Sequence, residues 1–464
     1  MYKTFFAVLI FIVTIVGCKS TKDTSELGYL KISPNGRFFT TQNGDPFFWL
    51  GDTGWLLFTK LNREEAATYF DDRKSKRFDV IQVMVLHNIK AAVNVYGDSA
   101  LINQNVATPK ITPGSSFSDS VQYDFWDHVD YLVDLAAQKG LYLALVPVWG
   151  SNVKEGKVNS VQAKAYATFL AERYKDKPNI IWVNGGDIKG SDSLNVWNTI
   201  GNTLQQFDPK HLITFHPRGR TQSSTWFHNE PWLSFNMFQS GHRRYDQDTS
   251  KSELRYGEDN WKYVMDDYAQ MPVKPTLDGE PSYEMIPQGL HDTLQPYWTD
   301  NDVRRYAYWS VFAGGAGFTY GDNAVMQFYK PTDHGSAYGA KKYWNEAIYD
   351  PGSGEMQFLK KLMLSRPYFD RVPDQSMIVG QGEKYDYLAA TRGRNYAFIY
   401  TYTGRDIQLN MGIIEGSRVK ASWYNPRNGS IEDIGIFDNR EILNFNPPGE
   451  PENGNDWVLI LDSI

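Results

Sequence analysis

The sequence predicts an α/β fold: a (β/α)8 TIM barrel followed by a C-terminal all-β sandwich. Three observations carry that prediction. Apolar runs rich in β-branched and aromatic residues alternate with helical stretches eight times over about 320 residues. The runs are continuous and do not alternate with polar residues, as expected for parallel strands covered on both faces. Beyond about residue 375 the pattern changes to short alternating strands separated by turn clusters. A doubly wound sheet would need fewer repeats. The Gly51-Asp52-Thr53-Gly54 stretch after the first strand also lacks the G-x-G-x-x-G phosphate fingerprint.

Taken in order, Lys3 precedes an apolar run from Phe5 to Val16, too short to cross a bilayer and suited to the core of a signal peptide. It ends Ile15-Val16-Gly17-Cys18, which resembles a bacterial lipobox. Residues 1–18 are therefore expected to be a lipoprotein signal peptide, with Cys18 the lipidated residue and polar residues 19–27 a tether. The expected location is exported and lipid-anchored, periplasmic or at the outer-membrane surface. Cys18 is the sole cysteine, so the chain has neither an intrachain disulfide nor a thiolate nucleophile.

The barrel is expected over residues 28–370. Turn signals at Pro34-Asn35-Gly36 and Gln42-Asn43-Gly44-Asp45 make a hairpin that feeds a buried strand at Phe47 to Leu50. NREEAATYFDDRKSKR reads as a capped helix and FDVIQVMVLHN as the second strand. In VQYDFWDHVDYLVDLAAQKG, Phe125, Val129, Leu132, Val133 and Ala136 share a helical face, and LYLALVPVWG is the third strand. IIWVNGGD, LITFHPRG, WLSFNMFQSGH, KPTLDGEPSYE and GFTYGDNA are the fourth to eighth strands, and GEMQFLKKLMLSR closes the barrel. Residues 375–464 supply sandwich strands at YLAATRG, YAFIYTYTG, SRVKASWYNPRNGS, EDIGIFDN and NDWVLILDS.

The net charge of −7 and the lack of an extended Lys/Arg block exclude a nucleic-acid partner. Aromatic residues make up 15% of the chain, with 14 Trp and 29 Tyr, which suits a large core and, in loops at strand ends, stacking on sugar faces.

Loops after the strands of such a barrel share one face, so residues at strand C-terminal ends converge. They are Asp52, Trp55, His87, Asn88, Trp149, Asn184, Asp187, His216, Arg218, Asn236, Gln239, His242, Glu280, Tyr283, Glu284, Tyr320 and Asp322. Two carboxylates across a cleft can cleave a glycosidic bond, and Asp187 after strand four faces the strand-seven glutamates across the mouth. A lone Asp after two glycines reads equally well as a helix cap. Trp55, Trp149 and Tyr283 suit a sugar platform. His87 and His216 suit holding a carboxylate or a hydroxyl. Arg218, Arg220 and Arg243 suit gripping an anionic substrate. The histidines are scattered, without H-x-x-x-H or H-E-x-x-H spacing, so no metal or cofactor is expected.

Together GDTGWLLF, FDVIQVMVLHN, IIWVNGGD and LDGEPSYE resemble the apiosidase-like glycoside hydrolases, grouped as glycoside hydrolase family 140, over roughly residues 28 to 370. The C-terminal segment resembles the β-domain that accompanies this family under a collagen-binding label, which carries no expectation of collagen binding here. The resemblance implies an enzyme acting on apiose linked to galacturonic acid in the pectin rhamnogalacturonan II, with a pectic polysaccharide or oligosaccharide as partner. It makes Asp187 the acid/base and places the nucleophile in LDGEPSYE. Glu280 directly follows the strand, as the nucleophile does in the wider clan of barrel glycosidases. Glu284 lies one turn further on and is slightly favoured by the resemblance. A retaining two-carboxylate mechanism is the expectation, weakened by the departure of Asn184-Gly-Gly-Asp187 from the clan's Asn-Glu pair. The remaining expectation is a monomer, and the alternative function is a noncatalytic cell-surface glycan-binding lipoprotein.

Overall fold

The computed structural model describes residues 27–249, 251 and 254–464, so the signal-peptide segment, Cys18 and residues 19–26 lie outside the described residues. Eight parallel strands form the barrel: β1 Trp49–Thr53, β2 Val80–Leu86, β3 Tyr142–Val148, β4 Ile180–Ile188, β5 Ile213–Pro217, β6 Asn236–Gln239, β7 Thr276–Asp278 and β8 Gly317–Tyr320. Their hydrogen-bonded order is β5-β4-β3-β2-β1-β8-β7-β6, with Thr221–Gln222 added antiparallel at β6. The ring closes by other bonds. Ser234 N–H donates to the Ile213 carbonyl at 2.7 Å, Ile213 N–H to Ser234 Oγ at 3.0 Å, and Thr214 Oγ1 to the Phe235 carbonyl at 2.7 Å. Closure leaves no open sheet edge at β5.

The strands read as unbroken apolar runs because both faces are covered. On β3, Leu143 and Leu145 pack under the helices with Val129, Leu132 and Val133, while Tyr142, Ala144 and Val146 fill the barrel interior with Trp49, Val183, Met237 and Leu277. Helices start where the sequence supplies reciprocal caps. Asn62 pairs with Glu65 before Arg63–Ser75, Asp124 with Asp127 before Phe125–Gln138, and Asn159 with Gln162 before Ser160–Tyr174. The unit after β5 carries only a one-turn helix, Ser224–Phe227, in place of a full one. Among the described residues no helix is long and apolar enough to cross a membrane.

A small antiparallel sheet of Lys31–Ile32, Phe39–Thr40 and Pro46–Phe47 plugs the barrel at the N-terminal ends of its strands. There Phe47 meets Tyr142 with ring centres 5.4 Å apart, Phe39 meets Phe235 at 5.0 Å, and Tyr142 Oη donates to the Gly28 carbonyl at 2.7 Å. The opposite end stays open.

The C-terminal region is a sandwich of two sheets. One contains Ala389–Arg392, Tyr396–Thr401, Trp457–Ser463, Arg418–Tyr424 and Ile431–Asp438, with Val372–Pro373 at its edge. The other, of Ile378–Val379, Ile407–Asn410 and Ile442–Phe445, escaped the sequence reading. Its strands are short, and Ile442–Phe445 buries only Phe445, so no apolar run announces them. Ile407, Leu409 and Phe445 pack on Ala397, Ile399 and Val419 to form the sandwich core.

The outer face of the larger sheet lies on the barrel helix Asp300–Phe312, where Tyr400 stacks on Tyr308 with centroids 4.7 Å apart. Beside them Arg304, fully buried, binds Asp456 at 3.0 Å, Asp300 at 2.7 Å and Glu355. Removing one partner of such a network leaves buried charge uncompensated. We expect Arg304→Met to destabilise the protein by about 3–5 kcal/mol, read from denaturant unfolding.

Candidate active site

At the open end, β4 finishes in a bulge. Gly185, Gly186 and Asp187 all take positive φ, at 89°, 108° and 46°, and the register to β5 slips between Gly185 and Ile188. A Cβ on Gly186 would sit 2.4 Å from the Trp149 ring, and one on Gly185 would sit 2.7 Å from the His216 carbonyl oxygen. Only glycine fits both positions, by conformation and by space. The bulge turns Asp187 into the opening, and its backbone N–H donates to His216 Nδ1 at 3.3 Å. Asp187 is not a helix cap.

Glu280 follows β7. Its Oε2 lies 3.2 Å from His216 Nε2 and its Oε1 3.0 Å from His242 Nε2. Each imidazole accepts a backbone N–H at Nδ1, from Asp187 at 3.3 Å for His216 and from Tyr283 at 3.4 Å for His242. That places the ring protons on the two Nε2 atoms; His242 Nε2 donates to Glu280 Oε1, whereas His216 Nε2 lies close to Oε2 without the alignment of a hydrogen bond. Burial alone would raise the Glu280 carboxyl, but the two imidazoles outweigh it and hold it down at about 2. Asp187 moves the other way. Although Asp187 is exposed at the cleft mouth, the desolvation that remains there and then the Glu280 charge push it up to about 6, against the opposing pull of His216, Arg218 and His242. One carboxyl is thus kept ionised and the other kept protonated into mildly acidic solution, the division of labour of an acid and a nucleophile or base.

Both carboxyls line a cleft of about 620 Å³, a size that suits a small ligand or the end of an oligosaccharide. Trp55, Trp149 and Tyr283 form its aromatic wall. Trp55 and Trp149 are 5.2 Å apart, and Trp55 Nε1 donates to Tyr283 Oη at 3.2 Å. His87, Arg218, Gln239 and His242 also line the cleft, and His216 lies beneath Trp55 with ring centres 5.3 Å apart. Arg243 and Arg220 reach it too, the latter 3.2 Å from Asp248.

Other candidates lie elsewhere. Asp52 is fully buried under the helix Arg63–Ser75, accepting from Tyr69 Oη and lying 3.4 Å from Arg73. Asn88 caps a turn at Lys90 N–H, 3.0 Å away. Asn184 donates to the Trp197 carbonyl at 2.8 Å, and Asn236 contacts His228 at 3.2 Å. Tyr320 donates to Glu284 Oε2, and Glu284 Oε1 accepts from Gly352 N–H at 3.3 Å. Glu284 is buried outside the cleft lining, and burial pushes it up to about 7 despite those two bonds. Asp322 beside it caps Asn323–Met326 through Ala324 and Val325 N–H. Glu284, slightly favoured by the resemblance, thus lies away from the cleft that Asp187 and Glu280 line. Lys154, Gln327 and Tyr338 line the cleft unannounced by the sequence. Among the described residues no three His, Cys, Asp or Glu side chains converge to hold a metal.

Residues 33–370 match the family model described as "Apiosidase-like, catalytic domain". The chain belongs to the apiosidase-like family. Residues 372–462 of this apiosidase-like chain match a second model, "Putative collagen-binding domain of a collagenase". A solved structure titled "Glycoside hydrolase" is 49% identical, covers 94% of this chain and 97% of its own, and superposes with a TM-score of 0.88. A structure from Bacteroides vulgatus titled a glycoside hydrolase family 5 protein is 46% identical, covers 94% of each chain and also reaches 0.88. No curated protein matches the chain. The apiosidase-like chain is a glycoside hydrolase, and the noncatalytic alternative is set aside.

Three outcomes follow from this geometry. Gly186→Ala should lower kcat about a hundredfold by moving Asp187, with unchanged circular dichroism. Activity should fall as pH rises through about 6, where Asp187 loses its proton. Glu280→Gln removes the charge that raises Asp187, so the Asp187 pKa should drop in that variant, as followed by carboxyl NMR titration.

Proposed function

We propose that the enzyme hydrolyses apiose–galacturonate linkages in rhamnogalacturonan II by a retaining mechanism, with Glu280 as nucleophile and Asp187 as acid/base. The observation that carries this reading is the pair of imidazoles on Glu280 facing a raised Asp187 across one cleft. In the first step a Glu280 oxygen attacks the anomeric carbon as the bond to the leaving oxygen breaks, and the Asp187 proton goes to that oxygen. The product is a glycosyl ester on Glu280. In the second step Asp187, now ionised, takes a proton from water, whose oxygen attacks the same carbon and releases Glu280.

Retention is favoured by the low Glu280 pKa. A carboxylate held at about 2 is a weak base for activating water, as inversion requires, yet it is fully ionised for attack and leaves readily from the ester. The uronate reading is supported by family membership and by Lys154, Arg218 and Arg243 lining the cleft, since guanidinium and ammonium groups suit a carboxylate. Placement outside the cytoplasm and lipidation of Cys18 belong to the same reading and rest on the N-terminal motif and the polymeric substrate; the reading also takes the enzyme as a monomer.

Digestion of purified rhamnogalacturonan II tests the assignment. Wild type should release apiose with the initial anomer matching the substrate by NMR. Asp187→Ala should be slower by about 10²–10⁴-fold and regain turnover with azide. Glu280→Ala should be inactive, whereas Glu284→Gln should keep kcat within a few-fold. Inactive Glu284→Gln beside active Glu280→Ala would reverse the roles, and an inverted first product would sink retention.

A further inference from the structure

We infer that Tyr338 is a substrate-contacting residue whose phenol hydroxyl donates a hydrogen bond to the glycosyl unit held at the Asp187–Glu280 pair; this rests on that pair being the reacting one. Tyr338 lies in the long loop after β8 and takes φ 53° and ψ 27°, a left-handed conformation that bulky side chains seldom adopt. The neighbouring backbone is fastened on both sides by side chains. Gln327 forms a fork with Ala337, donating from Nε2 to its carbonyl at 3.0 Å and accepting its N–H at Oε1 at 2.7 Å. Asn323 Nδ2 donates to the Tyr338 carbonyl at 2.9 Å and to the Met285 carbonyl at 3.0 Å, tying this turn to the loop that carries Glu280. Tyr297 Oη holds the Gly339 carbonyl at 3.2 Å.

A strained residue this heavily fastened, with its side chain lining the cleft, has a conformation set for what the side chain does there. Burial and the charges of both Glu280 and Asp187 raise the Tyr338 hydroxyl, so it keeps its proton and remains a donor at all working pH values. Tyr338 lines the same cleft as Asp187 and Glu280, with its ring packed on the cluster that contains Trp55, and the charges of both carboxyls act on its phenol.

Steady-state kinetics with Tyr338→Phe and Tyr338→Gly, on whichever glycoside wild type cleaves, tests the inference. Tyr338→Phe keeps the ring and loses the donor, so KM should rise about five- to tenfold with kcat nearly unchanged, the mark of lost binding. Tyr338→Gly relieves the positive φ, so its thermal midpoint should not fall while KM rises further. Wild-type KM in both variants overturns the inference, as does a loss of kcat that tracks a fall in midpoint. Failure of the underlying pair would instead appear as active Asp187→Ala or Glu280→Ala, whatever Tyr338 does.

Discussion

The site depends on one arrangement: two imidazoles, each orientated by a backbone N–H, set against the two oxygens of a single carboxylate, His242 by a hydrogen bond and His216 by a 3.2 Å contact. The donors at Nδ1 belong to Asp187 and Tyr283, so the residues that frame the cleft also set the tautomers that keep Glu280 ionised. The strand-four bulge is part of the same arrangement. It takes the Asp187 N–H out of the sheet ladder and offers it to His216, so backbone shape and electrostatics are one feature.

Glu284 gives the contrast. It too is a strongly shifted carboxyl, raised to about 7, and Asp322 beside it is raised as well by burial and by Glu284. Neither lines the cleft. Both are acids locked into loop architecture, with Glu284 fastened to Tyr320 and Gly352 and Asp322 capping a helix turn. A perturbed pKa marks a burial environment, and access to ligand decides which such group reacts.

Much of the barrel was legible because parallel strands bury both faces and helix caps leave a spaced polar signature, as at Asn62 and Asp124. The sandwich was half legible: strands such as Tyr396–Thr401 are wholly buried, whereas Ile407–Asn410 and Ile442–Phe445 alternate over only four residues. Within the site, proximity to a strand end was an incomplete guide, since successive residues point to opposite faces. Asp52 turns to the helix layer and Trp55, just past the strand, turns to the cleft. Glu280 and Glu284 could not be separated by spacing because they lie in a loop with no fixed period. Tyr338 was hidden because its position depends on Gln327 and Asn323 folding a distant loop back over the mouth.

The plugged base of the barrel has a consequence for orientation. Gly28 is bonded to Tyr142, and Tyr29 Oη donates to the Lys175 carbonyl at 3.0 Å, so the polypeptide enters at the floor opposite the mouth. The catalytic opening thus lies at the far end of the barrel from Gly28, so ligand reaches Asp187 and Glu280 without passing the plug.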